Sequence, residues 1–217
     1  MLGLDDTSKK QFINELNSAC EKLKLSISSQ QVESLILYLE LLIKWNKAFN
    51  LTAIRKPHDM LVKHIIDSLS IAPFLTGHEI LDVGTGPGLP GVPLAILFPE
   101  KSFVLIDSNG KKTRFITQSK ITLGIDNITI INGRVEDLEA SKPYDQIVSR
   151  AFTALDNMVN LCEHLLAKNG HFLAMKGQQQ SDELASIPDK FHLEQSIQLQ
   201  VPGCDEQRHL FIIGRSS

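Results

Sequence analysis

The segment of residues 80–91 constrains this chain more than any other, because it joins a short apolar run directly to closely spaced glycines. Residues 80–83 predict a buried strand, and residues 92–98 are apolar enough to form a packed helix. Three glycines at alternate positions lie between them: Gly84, Gly86 and Gly88. A strand, a glycine turn and a helix together form the ligand-binding corner of a parallel α/β sheet. Glycine suits this turn because it adopts unusual dihedral angles and leaves room for a ligand.

Two kinds of ligand compete for this loop. Residues 86–91 match the G-x-G-x-x-G dinucleotide fingerprint, and Asp107 lies near the expected spacing of about 20 residues. However, Pro87 and Pro90 each remove a backbone N–H that a pyrophosphate would use. Asp82 also adds a carboxylate, which repels pyrophosphate but suits the ammonium and sulfonium groups of S-adenosylmethionine. The loop therefore favours S-adenosylmethionine over a dinucleotide. We predict that it contacts this ligand through Asp82, Gly84, Gly86 and Gly88.

The composition is that of a globular protein with one α/β domain and a small extension. Of 217 residues, 42% are apolar and 22% are charged. No apolar run approaches the roughly 20 residues of a membrane span, and no secretory signal is visible. The three cysteines are widely spaced, which predicts free thiols in a reducing cytoplasm. A net charge of −3 argues against a protein coated in nucleic acid but allows a local basic site.

The chain divides into a helical part over residues 1–76 and a part with alternating strands and helices over residues 77–217. Apolar residues at three- and four-residue spacing predict one helix over residues 12–23 and a longer one over residues 32–43. Ser28 or Ser29 is placed to cap the second helix. Further on, the pattern predicts a third helix from Asp59 to Phe74. We interpret this region as a helical cap packed on the main domain.

Repeated strand and helix segments in the second part predict a doubly wound parallel sheet. A helix over residues 154–167 is predicted to end at Asn169-Gly170, where a fifth strand begins. Two late segments, residues 192–200 and 208–213, are joined by Pro202-Gly203 without a helix between them. They predict an antiparallel hairpin at one edge of the sheet. Such a hairpin distinguishes the methyltransferase sheet from the dinucleotide-binding sheet.

Acidic residues near two strand ends are candidates for binding an adenosine. Asp107 ends the second strand, where its carboxylate is placed to accept both ribose hydroxyls. The alternative is that Asp107 caps the helix that starts near Lys111. Val135 and Glu136 follow the third strand, where backbone and carboxylate commonly meet an adenine edge. For Glu136 the alternative of a solvent-facing glutamate at a helix start stays open.

Cations lie next to four strands of the predicted sheet, at Arg134, Arg150, Lys176 and Arg208. Together they predict a positive patch at the ligand-binding edge of the sheet, although the net charge of the whole chain is negative. Residues of the helical cap extend this patch: Arg55, Lys56, Lys63 and His64. His64 and Asp67 stand three apart on one helix face. Because no third ligand is near, a hydrogen-bonded pair is expected here rather than a metal site.

The sequence argues against two other kinds of base methylation. Strand four ends in Ile147-Val148-Ser149-Arg150 and lacks the Asn/Asp-Pro-Pro-aromatic run expected where an exocyclic amine is methylated. Covalent attack on a pyrimidine needs a cysteine in a loop, whereas Cys162 is predicted to lie within a helix, in the core.

Several segments in order make the chain resemble the glucose-inhibited division protein B family, the bacterial 16S ribosomal RNA guanine-N7 methyltransferases. The segments are WNKAFNLTAIR (45–55), MLVKHIIDSL (60–69), DVGTGPGLPGVPLAI (82–96), LIDSNGKKTRF (105–115), GRVEDL (133–138), SRAF (149–152), MKGQ (175–178) and RHL (208–210). Each segment is weak alone, but eight in one order over nearly the whole chain are specific.

The resemblance implies a class I S-adenosylmethionine-dependent methyltransferase, with a Rossmann-like, mostly parallel seven-stranded sheet and an N-terminal helical extension. It implies methyl transfer to N7 of a guanine in 16S ribosomal RNA, within the 30S subunit or a precursor, by a monomer that needs no metal. It places the cofactor on Gly84, Leu89, Val135, Glu136 and Arg150.

Substrate placement is predicted for Arg150 and Arg208, and no general base is required. The residues expected to bind RNA are Arg55, Lys63, His64, Arg134, Lys176, Arg208 and His209. Two rival functions remain: a small-molecule N-methyltransferase with a largely apolar, enclosing pocket, and a non-catalytic RNA-binding or assembly protein that keeps the cofactor as a structural ligand.

Overall fold

The computed structural model of the chain describes residues 4–139, 141–150, 154–177 and 186–216. Three residues of the segments quoted above lie outside these ranges: Ala151, Phe152 and Gln178.

Seven strands of the described residues form one sheet. They are β1 (Glu79–Val83), β2 (Ser102–Asp107), β3 (Ile128–Asn132), β4 (Tyr144–Arg150), β5 (Leu166–Lys176), β6 (Phe191–Leu199) and β7 (Arg208–Arg215). Their order across the sheet is β3-β2-β1-β4-β5-β7-β6. The first five strands are parallel to one another, and β7 is antiparallel to both β5 and β6. The predicted class I architecture with an antiparallel edge hairpin is therefore confirmed.

The helices of the described residues are α1 (Asp6–Lys22), α2 (Ser29–Phe49), α3 (Pro57–Met60), α4 (Asp67–Leu69), α5 (Gly91–Leu97), α6 (Gly110–Leu123) and α7 (Leu155–Cys162). A π-helical segment, Leu61–Ile66, connects α3 directly to α4. Short 3₁₀ turns cover Ala72–Phe74, Val135–Asp137 and Glu163–Leu165.

Two apolar clusters cover the two faces of the sheet. Successive strand residues point to opposite faces, so Ile80 belongs to one cluster and Leu81 to the other. The first cluster contains side chains of α1 and α2 together with those of α5 and α6. The second contains the apolar face of α7. The helical extension thus buries its apolar side against the same sheet face as α5 and α6.

The start of α2 is tied to the end of α5. Ser28 caps α2 by accepting a hydrogen bond from the Gln31 backbone N–H at 3.2 Å, as one of the two predicted capping residues. The Gln31 amide also donates to the backbone carbonyls of Ile96 (3.0 Å) and Leu97 (2.9 Å). Because the last carbonyls of a helix have no partner within it, this side chain satisfies two of them and aligns the two helices.

The middle of α2 supports the glycine loop that follows β1. The fully buried Tyr38 donates its hydroxyl to the Pro87 carbonyl at 2.6 Å. Its ring lies 5.9 Å from the Phe115 ring of α6, centroid to centroid. A residue of the N-terminal helical extension therefore holds the backbone of the glycine loop on the buried side of that loop.

The predicted helix over residues 154–167 is too long, because α7 ends at Cys162 and β5 already begins at Leu166. Gly170 was predicted to begin the fifth strand directly after a helix end; it does belong to β5, but the strand begins four residues earlier. A Cβ on Gly170 would be 2.9 Å from the Asp145 carbonyl and 3.0 Å from the Tyr144 carbonyl. Glycine is needed there because β5 passes unusually close to the backbone of β4, next to an irregularity in their pairing.

The predicted third helix over residues 59–74 is interrupted. It starts at Pro57, passes through the π-helical segment and ends at Leu69. A π-helical turn contains one extra residue per turn, and such turns often occur at functional sites. Here the turn carries His64, and Asp67 follows directly after it.

We predict that Tyr38→Phe destabilises the protein by about 1–3 kcal/mol, because the buried Pro87 carbonyl loses its hydrogen-bond donor. Urea unfolding monitored by circular dichroism measures this. Ser119→Ala is the matched control: the Ser119 hydroxyl is buried and has no hydrogen-bond partner among the described residues, so its removal should cost almost nothing. Equal unfolding midpoints for Tyr38→Phe and wild type would contradict the support role of Tyr38.

Candidate functional site

The glycines of the loop face different surroundings. Gly84, Gly86 and Gly88 all have positive φ angles, of 63°, 62° and 99°. A Cβ on Gly86 would meet only the Lys112 ammonium, at 4.0 Å, so this side of the loop is open to a ligand. A Cβ on Gly88 would lie 2.5 Å from Val92 Cγ2. The side of Gly88 where a Cβ would lie therefore faces inward, which allows α5 to pack closely; its contact with the ligand stays a prediction.

Asp82 lies behind the loop, in a fully buried position. Its Oδ2 accepts hydrogen bonds from the Thr85 hydroxyl (2.6 Å) and the Gly91 backbone N–H (2.8 Å). Burial raises the pKa of the Asp82 carboxyl to about 7. Asp82 links the two ends of the loop and lines neither cavity described below. Its Oδ1 is buried and has no hydrogen-bond partner among the described residues, and its contact with the ligand stays a prediction.

Asp107 lies at the end of β2, beside the loop. Its Oδ2 accepts the Gly86 backbone N–H at 2.8 Å, and its Oδ1 accepts the Asn109 backbone N–H at 2.8 Å. The cap of α6 is Asn109, whose side chain accepts from the Lys111 backbone N–H, so the alternative of Asp107 as the cap is wrong. A carboxylate has about four acceptor positions, so each Asp107 oxygen keeps a lone pair for a ligand hydroxyl.

Two cavities meet at the loop, and both are lined by Gly84 and Lys112. The acidic cavity has a volume of about 570 Å³ and includes the predicted residues Gly84, Asp107, Arg134, Val135 and Glu136. The arginine cavity has a volume of about 490 Å³ and includes Lys63, His64, Gly84, Gly86, Leu89, Arg150, Lys176, Arg208 and His209. A ligand that extends past Gly84 therefore reaches from one cavity into the other.

Asp67 joins the two arginines of the arginine cavity. Arg150 Nη1 donates to Asp67 Oδ2 at 3.1 Å, and Arg208 Nε donates to Asp67 Oδ1 at 3.1 Å. The Asp67 side chain is only 3% exposed, so both ion pairs are shielded from water on its side. Arg150 also donates to the Lys63 carbonyl at 2.9 Å. The two guanidinium groups are thus held in fixed positions at the carboxyl ends of the parallel strands.

His64 is buried beside Arg150 and does not present a cation to RNA. Its Nε2 lies 2.9 Å from the Thr52 hydroxyl, and its Nδ1 lies 3.3 Å from Arg150 Nη2. Burial and the Arg150 charge lower the pKa of His64 to about 3. The ring is therefore neutral at physiological pH, which corrects its prediction as an RNA-binding cation. The predicted hydrogen-bonded pair of His64 with Asp67 is also wrong, because Asp67 binds the arginines instead.

The other predicted cations differ in position. Lys63 forms an ion pair with Glu206 at the mouth of the arginine cavity. His209 stacks on the Phe211 ring, with centroids 6.2 Å apart, and lines the same cavity as Lys176. Arg134 lies at the acidic cavity, where its Nη1 is 3.4 Å from Glu136 Oε1.

Arg55 lies outside both cavities. Its Nη2 donates to the Asn50 side-chain carbonyl at 2.8 Å, which closes the loop after α2. The structure therefore does not place Arg55 with the cations of the arginine cavity.

Among the charged residues that line the two cavities, Lys112 and Asp67 were not predicted as site residues from the sequence. Lys112 lines both cavities, and its ammonium lies 3.8 Å from Asp107 Oδ2. It belongs to the LIDSNGKKTRF segment, but one lysine in a charged helix start carries no specific signal. Asp67 was noted only as a neighbour of His64. Its true partners come from β4 and β7, which are distant in sequence.

The described residues hold no group of three or more histidine, cysteine or acidic side chains arranged to bind a metal ion. No helix among them has the length and apolar character that a membrane crossing requires.

The chain is similar to known ribosomal RNA methyltransferases over nearly its whole length. The GidB family, described as rRNA small subunit methyltransferase G, matches residues 31–211. The ribosomal RNA small subunit methyltransferase G of Marinobacter nauticus is 51% identical over 209 residues, which cover 96% of this chain and 98% of that protein. The protein of the same name from Pseudomonas syringae pv. tomato is 48% identical over 95% of this chain and 98% of that protein.

Solved structures of other methyltransferases share the fold. Magnesium protoporphyrin IX methyltransferase (ChlM) from Synechocystis PCC 6803, crystallised with bound SAH, matches with a TM-score of 0.61 and 13% identity. The match covers 82% of this chain and all of that chain (100%). TrmN from Thermus thermophilus matches with a TM-score of 0.56 and 17% identity, over 79% of this chain and 53% of its own. At these identities the likeness shows the fold alone.

The low pKa of His64 predicts a loss of stability in acid. The unfolded state takes up a proton near pH 6.5, whereas the folded state does so only near pH 3. This contribution to stability is therefore complete above about pH 6.5 and is lost as the pH falls towards 3, by about 1.4 kcal/mol per pH unit.

Urea unfolding from pH 7.5 to 4.5 measures this loss, and His64→Gln should show a flatter pH dependence than wild type. The exposed His192 supplies the control, since His192→Gln should follow the wild-type curve. Parallel curves for His64→Gln and wild type would show that His64 is not held neutral.

Proposed function

The chain belongs to the rRNA small subunit methyltransferase G family, and from this membership we propose that it methylates N7 of a guanine in 16S ribosomal RNA. It is an S-adenosylmethionine-dependent methyltransferase of class I fold. The observation that carries the finer proposal is the junction of the two cavities at Gly84 and Lys112. One cavity offers acidic and backbone groups for a nucleoside, and the other offers fixed arginines for a nucleic acid.

The acidic cavity fits the adenosine part of the cofactor. Asp107 keeps one free acceptor position on each oxygen, which suits the two ribose hydroxyls. Val135 and Glu136 line the same cavity and are proposed to meet the adenine. Gly84, Gly86 and Leu89 line the passage into the arginine cavity, where the open side of Gly86 leaves room for the methionine part. When bound, the cofactor supplies a methyl group on a positively charged sulfur.

The arginine cavity is proposed to hold the target guanine. N7 of guanine has a free lone pair and carries no proton, so the protein needs no general base. Its task reduces to placing N7 in line with the methyl group and to electrostatics. Arg150 and Arg208 are suited to this task because Asp67 fixes both guanidinium groups before the substrate arrives. Their charges are proposed to bind the O6 edge and the phosphates rather than N7.

Lys63, Lys176 and His209 surround Arg208 in the lining of the arginine cavity and are proposed to contact the RNA backbone. Arg134, which is 72% exposed, is proposed to extend this contact along the acidic cavity. These local cations are necessary because the chain as a whole carries a net charge of −3. Arg55 is proposed only as an outlying contact, since it lines neither cavity.

We further propose that the enzyme acts in the cytoplasm as a monomer, on 16S RNA within the 30S subunit or a precursor. Residues 1–76 are proposed to act as a helical cap on the methyltransferase domain of residues 77–217. The contribution of Tyr38 to the glycine loop and of Asp67 to the arginines supports this division of tasks.

The experiment that tests the function is single-turnover methyl transfer to 30S subunits whose 16S RNA lacks the modification. Naked 16S RNA and free guanosine serve as alternative substrates. We expect 7-methylguanosine after nuclease digestion of the 30S product, and no transfer to free guanosine. Methylation of free nucleosides at a comparable rate would favour the small-molecule rival. Tight cofactor binding without any transfer would favour a non-catalytic RNA-binding protein.

Asp107→Ala should weaken cofactor binding about ten- to a hundredfold, because a charge-assisted contact to the ribose is worth about 1.5–3 kcal/mol. Isothermal titration calorimetry with S-adenosylhomocysteine measures the affinity, and thermal unfolding measures the stability. Asp5→Ala is the control, since Asp5 caps α1 and lines neither cavity, and its loss should lower stability without changing affinity. An unchanged affinity in Asp107→Ala would exclude ribose binding by Asp107.

Arg208→Ala should reduce methyl transfer and leave cofactor affinity nearly unchanged, whereas Arg150→Ala should reduce both. Arg150 is proposed to lie at the boundary of the cofactor and the base, and Arg208, at the start of β7, is proposed to contact only the RNA. RNA affinity, and with it the rate of transfer, should also fall steeply with added salt. For single strands, the logarithm of the binding constant falls with the logarithm of the salt concentration, with a slope of about 0.7 per phosphate neutralised. Single-turnover rates across a salt series measure this. Full activity of Arg208→Ala with a flat salt response would show that the arginine cavity does not bind RNA.

A further inference from the structure

Two carboxylates of very different burial hold Arg208. Asp67 accepts from Arg208 Nε and is 3% exposed, whereas Glu206 accepts from Arg208 Nη2 at 3.2 Å and is 52% exposed. The buried pair is expensive to break, because it would leave an uncompensated charge in the interior. The exposed pair is cheap to break, since such pairs contribute little in water. Arg208 is therefore anchored to Asp67 through Nε and also donates from Nη1 to the Gln207 carbonyl at 3.0 Å, while its contact at Nη2 is exchangeable.

Glu206 bridges two cations with its two oxygens. Its Oε1 accepts from the Lys63 ammonium, and its Oε2 accepts from Arg208 Nη2. The hydrogen bond from Lys63 lowers the pKa of the Glu206 carboxyl, so the group is ionised at neutral pH. A phosphodiester also presents two equivalent anionic oxygens, which a lysine and an arginine bind in the same way. Glu206 therefore resembles a phosphodiester in its charge and in the two cations that hold its oxygens.

The location of this arrangement matches a substrate backbone. Lys63 and Arg208 both line the arginine cavity, whereas Glu206 does not line it but is bonded to both of them and is half exposed. Glu206 belongs to the loop between β6 and β7, two residues before β7 begins, where the chain is exposed. A loop residue at this point is able to turn away without disturbing the sheet.

We propose that Lys63 and Arg208 form a phosphate subsite for the RNA backbone next to the target guanine, and that Glu206 occupies this subsite until RNA displaces it. The subsite rests on the proposed function, because it takes a phosphodiester of single-stranded RNA as its ligand. Asp67 keeps Arg208 in place during the exchange. Glu206 thereby lowers affinity for any RNA that does not supply a phosphate at this point, which makes it a specificity element.

The test is the affinity of Glu206→Gln for a single-stranded RNA oligonucleotide, measured by fluorescence anisotropy at low salt. The variant keeps the shape of the side chain but removes the competing charge. We expect binding about three- to tenfold tighter than wild type, since two exposed ion pairs no longer have to be broken. Affinity for S-adenosylhomocysteine should stay unchanged, because Glu206 lines neither cavity.

Glu163→Gln is the matched control. Glu163 forms an ion pair with Lys190 away from both cavities, and its substitution changes the net charge by the same amount. It should alter RNA affinity by less than about twofold, since distant exposed charges are screened. If Glu163→Gln and Glu206→Gln strengthened RNA binding equally, the effect would come from net charge alone, and the proposed subsite would be overturned. Weaker or unchanged binding by Glu206→Gln would also overturn it.

Adding Lys63→Ala identifies the partner of Glu206. In the Lys63→Ala background, the gain in RNA affinity caused by Glu206→Gln should be at most half of that in wild type, because one of the two proposed phosphate contacts is missing. An undiminished gain would remove Lys63 from the subsite and overturn the proposal as stated. Methyl transfer by the wild-type protein distinguishes a failure of the proposed subsite from a failure of the proposed function. Transfer without any Glu206 effect rejects only the subsite, and a Glu206 effect without transfer rejects only the methyltransferase activity.

Discussion

The buried carboxylate of Asp67 is the interaction on which the arrangement of the site depends. It receives one guanidinium from the end of β4 and another from the start of β7, and it comes itself from the helical extension. Three distant parts of the chain thus meet at one side chain. Because an unpaired buried charge is very unfavourable, the carboxylate and the two arginines must assemble together. The extension is for this reason part of the site rather than an attachment to it.

The glycine loop is held by a comparable arrangement on its inner side. Asp82 binds both ends of the loop, Asp107 binds its middle through Gly86, and Tyr38 binds the Pro87 carbonyl. Three of these contacts satisfy backbone groups, namely the Gly86 and Gly91 N–H groups and the Pro87 carbonyl. Three side chains from three elements therefore set the loop geometry before any ligand arrives. The face of Gly86 that stays open is then available for the cofactor.

Predictions from the sequence were reliable where the pattern was local and failed where a long-range contact decided. The apolar runs located the parallel strands, and the Pro202-Gly203 turn located the edge hairpin. In contrast, Gly170 was interpreted as a mark of a helix end. Glycine is needed there because β5 passes so close to the β4 backbone that a Cβ would not fit. The sequence also did not reveal that Asp82 is fully buried or that His64 is held neutral. Both are buried, and burial depends on neighbours from elements that a local pattern does not reveal.

The sequence by itself determined the class of fold, the glycine loop and the family, because strand and helix periodicity and the ordered motifs are written along the chain. Only the tertiary structure decided which polar groups line the two cavities. The carboxylates of Asp82, Asp107 and Asp67 are alike in the sequence, yet one supports the loop, one lines a cavity and one joins two arginines. The physical reason is that a carboxylate acts according to its burial and its hydrogen-bond donors, and these come from residues brought together only by folding.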